Sequence, residues 1–449
     1  MRGWRTVLWA GLLAPTLVCT RATGGETAAK LRLVTTETMV AKIHTGNISS
    51  RPRLTASPDN RHEAHIVAPF GKPMTVARDG QAYGPGCQGI WDGSITFSPD
   101  SKRLAYLAGA TAKARRSVVL DGVEGRQYDD VMGGSLLFSP NSARFAYLAK
   151  KGKRWLAVVD KVEGKEYDEV VPPLAFDAAG KRVAYAARPG DKWCIVVDGT
   201  EGERHDMALF PVFSDDRTRF AYVAKDGDHS LAVVDGAPQE GHGNLAMVPP
   251  LFSPDGKHFA YVAKRDDAWC VVADGVEGAK YDAPYGLTYS PDSARLAYYA
   301  RRGEKTMVVV EGVEGPLYDS VSWLTFSPDS RRVVYAAVDG EKHFVVVDGK
   351  AGPSYGLAAA PAFSPDSKRL AYIAANQKNV MVVVDGVETK AYGGVFYGTR
   401  PVFDSPTRLH ALLRSGPDLE ATLVDVELVE EQPSSTAPQD FSSLLPNPG

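Results

Sequence analysis

Apolar positions along this chain come in short runs, each about five residues long and closed by a polar turn. The stretch 324–355 carries the pattern in full. "LTF" (324–326) is apolar, and "SPDS" (327–330) is a turn in which Pro presets φ and Asp can close a local hydrogen-bonded loop. "RRVVYAA" (331–337) is rich in strand formers. "VDGEKH" is polar, and "FVVVDG" (344–349) is a third strand ending in the Asp-Gly pair favoured by tight hairpins. A shorter stretch ending at Tyr355 supplies a fourth. No segment keeps a 3.6-residue period long enough for a helix. The unbroken runs "MVVV" at 307–310 and 381–384 predict strands buried on both faces, as in stacked sheets.

The same unit recurs. "FSPDSKRLAY" stands at 97–106 and again, letter for letter, at 363–372. The aromatic that opens it falls at Phe97, Phe138, Phe176, Phe213, Phe252, Tyr289, Phe326, Phe363 and Phe403, with steps of 37–41 residues. "LTASPDN" is a degenerate first copy with Ala56 at the aromatic place, which makes ten units. Four short strands and four turns fill that period. The expected fold is all-β: a β-propeller of four-stranded blades, about ten units in a single ring. The last unit lacks a fourth strand, and the β-like segment 31–43 precedes the first unit. That segment is the expected donor that pairs beside 421–429 and closes the ring.

The signature F-S-P-D-[SG]-x-x-[LVF]-A-Y resembles the TolB-type repeat, a WD-repeat-like blade. Copies at 97–106, 252–261, 289–298, 326–335 and 363–372 are clean or nearly so, 138–147 has Asn141 for Asp, and the units at Phe176, Phe213 and Phe403 depart further. The resemblance covers roughly residues 54–413 and implies a propeller. It implies no substrate, because such blades serve as scaffolds, partner platforms and non-catalytic halves of peptidases.

Net charge is −3, so no global field draws the protein to nucleic acid. Arg2 and Arg5 followed by the short apolar run 7–18 read as an export signal over 1–22, which places the mature chain in a periplasmic or extracellular space. Lipid anchoring through Cys19 is the alternative. The propeller is expected over 31–430, and the Pro/Ser-rich stretch 431–449 reads as a disordered tail. Cys194 and Cys270 share a repeat position two units apart, and Cys87 stands alone, so no disulfide framework is expected.

Candidate chemistry is sparse. No Gly-x-Ser-x-Gly elbow occurs, so a fused serine hydrolase is not expected, and the chain is read as a non-enzyme. His62, Glu63 and His65 lack the spacing of a helical zinc motif and read as solvated first-blade residues. The repeated "DGVEG" offers too few oxygens for a convincing calcium loop, so no cofactor is expected and calcium is the one alternative. Recurrent Tyr-Asp pairs (Tyr128-Asp129, Tyr167-Asp168, Tyr281-Asp282, Tyr318-Asp319) read as structural, with the Asp capping the crossing to the next blade. Trp155, Trp193 and Trp269 begin third strands beside basic loops carrying Lys151, Arg154, Arg265, Arg301 and Arg302, and form the candidate binding surface. Interleaved acids argue against a nucleic-acid track. The expected function is an exported scaffold binding a protein or other macromolecule. The alternatives are a small-molecule or glycan site, possibly hydrolytic, in the central channel, and a structural envelope or matrix protein.

Overall fold

The structure is a computed structural model that describes residues 30–42, 54–69, 71–109, 115–239, 245–246, 248–377, 379–415 and 420–431. The export-signal and tail expectations, and Cys19, lie outside these residues. Among the described residues no helix is long and apolar enough to cross a membrane. Compactness separates 33–429 from 1–32 with 430–449, and the first of these units holds the blades.

Ten antiparallel sheets form ten blades in a ring, as the repeat predicts. Blade 8 is representative: strands Ser320–Phe326, Val333–Asp339, Lys342–Val347 and Lys350–Tyr355, paired in that order. The first strand of each blade lies innermost. From blade 4 onward these strands touch in turn, Glu169–Phe176 against Met207–Phe213 and so on to Leu357–Phe363 against Val402–Ser405. The third-to-fourth turn has positive φ at both centres, 49° at Asp348 and 77° at Gly349, which suits the right-handed strand twist. Blade 10 is completed from the other end of the chain. Its sheet runs from Gly394–Val395 through Arg408–Ser415 and Glu420–Glu431 to Lys30–Lys42, so the N-terminal strand is its fourth.

The repeated letters hold neighbouring blades together. The Ser327 hydroxyl donates to Asp329 at 2.6 Å and accepts the Arg332 amide at 2.9 Å, which closes the turn locally. The last Ser of the motif acts across the interface. The Asp292 amide of blade 7 donates to Ser330 Oγ of blade 8 at 3.0 Å, and Asp329 does the same to Ser367 of blade 9. Arg295 reaches from blade 7 to the Ser330 and Arg331 carbonyls, and its guanidinium lies 5.3 Å from the centre of the Phe326 ring. Its other side pairs with Glu311 at 2.8 Å. The Phe ring is buried and completes the core between blades.

On the opposite face the Tyr-Asp pairs do the equivalent, as expected. Asp129, Asp168, Asp282 and Asp319 accept the amide of Gly152, Gly190, Gly303 and Gly340, each in the next blade's hairpin. The tyrosine packs edge-on against the second-strand tyrosine of that blade, as in Tyr318 with Tyr335 at 6.4 Å.

The first blade corrects one expectation. Glu63 and His65 are buried rather than solvated. Glu63 accepts the Gly80 amide at 3.1 Å and bonds His65 Nδ1 at 2.7 Å, so the two polar groups satisfy each other inside the sheet. His62 faces the other way and pairs with Asp79. Cys87, Cys194 and Cys270 are buried thiols without disulfides, and burial pushes Cys194 up to about 11.

Candidate binding site on the channel wall

The innermost strands are where the units differ most. Three residues before the motif aromatic, successive blades from the second carry Ser94, Ser135, Pro173, Phe210, Pro249, Gly286, Trp323, Ala360 and Arg400. In blades 5, 7, 8 and 9 the strand breaks register at this point. The residue there has positive φ: 57° at Phe210, 62° at Gly286, 59° at Trp323 and 54° at Ala360. A bulge of this kind re-aims one side chain out of the sheet. A bulky residue held there costs about 1–3 kcal/mol of backbone strain, which the surroundings must sustain.

Blade 7 supplies that support for Trp323. The Leu324 amide donates to the Tyr299 hydroxyl at 2.8 Å. Tyr299 packs on Tyr285 with ring centres 5.1 Å apart. Residue 286 must be glycine, because a Cβ there would lie 2.5 Å from the Tyr299 ring. The result is a Trp side chain left half exposed, at 50%.

Trp323 lines a pocket of about 380 Å3 formed by the first strands of blades 8, 9 and 10. Ala360 and Pro361 come from blade 9, and Arg400 with Pro401 from blade 10. Among the described residues, Arg400 is the one charged residue in its lining. Its backbone amide donates to Asn60 Oδ1 at 2.9 Å, and its guanidinium donates to the Pro58 carbonyl at 2.9 Å, so blade 1 holds both its backbone and its head. Trp and Arg, which here line one mainly apolar pocket from blades 8 and 10, are among the residue types enriched in binding hot spots.

A second pocket, of about 740 Å3, sits at the other end of the same strands, between blades 9 and 10. Leu357, Val380, Val395, Gln377 and Arg414 line it. The Arg414 guanidinium lies against Gly394, where a Cβ would meet it at 2.9 Å, and donates to the Gly393 carbonyl at 3.1 Å.

The residues expected from sequence occupy a different region. Trp155, Trp193 and Trp269 are half-buried and pack against blade cores. Lys150 lies over the Trp155 ring at 5.5 Å and Arg188 over Trp193 at 5.7 Å. Their basic neighbours are engaged nearby: Lys151 with Glu163 and Glu166, Arg154 with Asp168, Arg265 with Glu277, Arg302 with Glu314. Arg301 is exposed beside Arg302. The structure brings Lys151, Arg154 and Trp155 together in blade 3, and Arg265 with Trp269 in blade 6. It does not gather them into one site, because each group rides the second hairpin of its own blade. Trp323, Tyr285, Arg400 and Arg414 were missed. The available signal was a single repeat position that changes while its neighbours stay fixed, and the irregular stretch 392–400 that interrupts the last step.

Asp404, His410 and Asp425 place ligand-type atoms within 4.8 Å of one another. Arg61 stands in the position a cation would need, 2.8 Å from Asp404 and 3.1 Å from His410 Nδ1. Burial pushes the Asp404 carboxyl up, but hydrogen bonds from His410 and Arg61 outweigh it and the net shift is downward. The cluster is a seam between blades 10 and 1, where His410 Nε2 also donates to the Asp59 carbonyl at 2.6 Å. The "DGVEG" carboxylates are likewise spoken for: Asp121 bonds Arg103 and Asp274 bonds His258.

No family model matches the chain, and no curated protein does. Solved structures similar to it include a eukaryotic initiation factor (11% identity, 76% of this chain and 96% of that one, TM-score 0.45). TolB from Acinetobacter baumannii is another (16% identity, 57% and 77%, TM-score 0.30), as is the Dos1 propeller (10%, 66% and 92%, TM-score 0.37). At these levels the likeness concerns blades only.

Proposed function

We propose that this chain is a non-enzymatic binding propeller, built from TolB-type repeats, that acts outside the cytoplasm and takes a protein partner on the channel wall of blades 8 to 10. One observation carries the reading: Trp323, a large aromatic, is held half exposed in a strained bulge and lines one pocket with Arg400. Core packing would bury that ring, as it buries Phe326 three residues on. The basic and apolar start of the sequence supports export, and the lack of a nucleophile elbow supports a non-catalytic role.

The test is affinity capture from the producing cell with the full chain and with Trp323→Ala, both checked for an unchanged melting temperature. A partner retained by the parent and lost by the variant is expected. Identical capture by both overturns the reading.

A further inference from the structure

We infer that the partner is an extended acidic peptide segment, lying along the first strands of blades 9 and 10 with a carboxylate at each end. This rests on the channel-wall reading and goes beyond it in naming the chemistry of the occupant. The two pockets share one strand of blade 9. Leu357 lines one and Ala360 to Phe363 line the other, and these belong to a single strand, Leu357–Phe363. In blade 10, Gly393 to Val395 line the first pocket and Arg400 to Val402 the second. At about 3.3 Å per residue the strand spans about 20 Å, the length of a six- or seven-residue extended peptide.

Each end carries one charge, and both charges are positive. Among the described residues, Arg400 is the sole charged lining residue at one end and Arg414 at the other. Apart from these arginines, the described lining of both pockets is uncharged and mainly apolar.

The second pocket owes its positive character to a break in the repeat. In several blades the residue after the fourth-strand tyrosine is Asp, and its backbone pairs with the basic residue of the next blade, Asp168 with Arg188 and Asp282 with Arg301. Before Arg414 that place is Gly393, whose amide makes the same bond to the Arg414 carbonyl. One blade earlier it is Gly356. The backbone bond is kept and the carboxylate is gone. Arg414 therefore faces the pocket beside two glycines, with N–H groups to spare beyond its bond to Gly393. A guanidinium binds a carboxylate through a fork of two parallel hydrogen bonds, so an acidic side chain from outside suits Arg414.

The test is display selection of random decapeptides on the full chain, followed by fluorescence anisotropy of the best peptide. Enrichment of two Asp or Glu residues five to seven positions apart is expected. Arg400→Gln and Arg414→Gln should each weaken that peptide at least about tenfold, and replacing the acid at one end should abolish the effect of one arginine only. Selected peptides without acids that still lose binding to Trp323→Ala would overturn the acidic partner and leave the channel site standing. Peptides whose binding ignores Trp323→Ala would overturn both. No enrichment at all would also overturn the inference.

Discussion

Phe326 and Trp323 stand three residues apart on one strand and answer to different demands. Phe326 recurs in almost every blade, lies in the core and carries the Arg295 guanidinium of the blade before it. Trp323 occurs at its repeat position once, projects from a bulge and is half exposed. The difference separates two layers of the molecule. Where blade meets blade, every blade must solve the same packing problem, and the letters repeat. Where blades meet the channel, nothing forces them to agree, and the sequence is free to carry a ligand's shape.

If that division is right, damage to the blade-to-blade layer costs stability, and damage to the channel layer costs binding. The largest effect should come from deleting 30–42, the fourth strand of blade 10. The loss leaves an open sheet edge and an unsealed ring, so the melting temperature should fall further than for any point substitution. Deleting 433–449 should leave it nearly unchanged. Equal small losses from both deletions would mean that the N-terminal strand does not close the ring.

Next comes Phe326→Ala, with an expected loss of about 3–5 kcal/mol in denaturant unfolding. Ser327→Ala should cost about 1–3 kcal/mol, since it strips a buried hydroxyl that both donates to Asp329 and accepts the Arg332 amide. A cost near zero at either position would detach the repeated letters from the blade interface.

A smaller effect is expected on the acid side. Hydrogen bonds from Ser98, Ser290, Ser327 and Ser364, foremost among several contacts, hold Asp100, Asp292, Asp329 and Asp366 below the usual carboxylate range. A folded pKa below the unfolded one stabilises the fold above about pH 4, and that contribution disappears as pH falls through the folded value. The melting temperature should therefore drop below about pH 4. Asp329→Asn should flatten part of that drop while lowering stability at neutral pH. An acid limb unchanged by the substitution would remove the turn aspartates from the explanation.

The fold was legible because its determinants are local and repeated ten times. The aromatic, the Ser-Pro-Asp turn and the Asp-Gly hairpin each mark one strand end, and the strand count at the two termini foretold which strand closes blade 10. The Tyr-Asp cap was legible for the same reason. The site was not. Trp155, Trp193 and Trp269 drew attention because they sit beside Lys and Arg in sequence, yet those cations are largely spent on carboxylates such as Glu163, Asp168 and Glu277. Trp323 and Arg400 come from separate stretches that line one pocket only when blades 8 to 10 are in place, and Arg414 lines the other. The aspartates that Gly356 and Gly393 replace are seen at work only in the structure of other blades. The buried Glu63–His65 pair was misread because a strand's inward face cannot be assigned from a short, mostly polar stretch alone.

The central claim is that partners are read on the channel wall rather than on the outer hairpins. Site-specific photo-crosslinking in the producing cell tests it most directly, with benzoylphenylalanine placed in turn at positions 323, 155 and 269. Residue 323 should yield a discrete protein adduct that the other two positions do not. Adducts from 155 or 269 with none from 323 would contradict the account and return the binding surface to the outer hairpins.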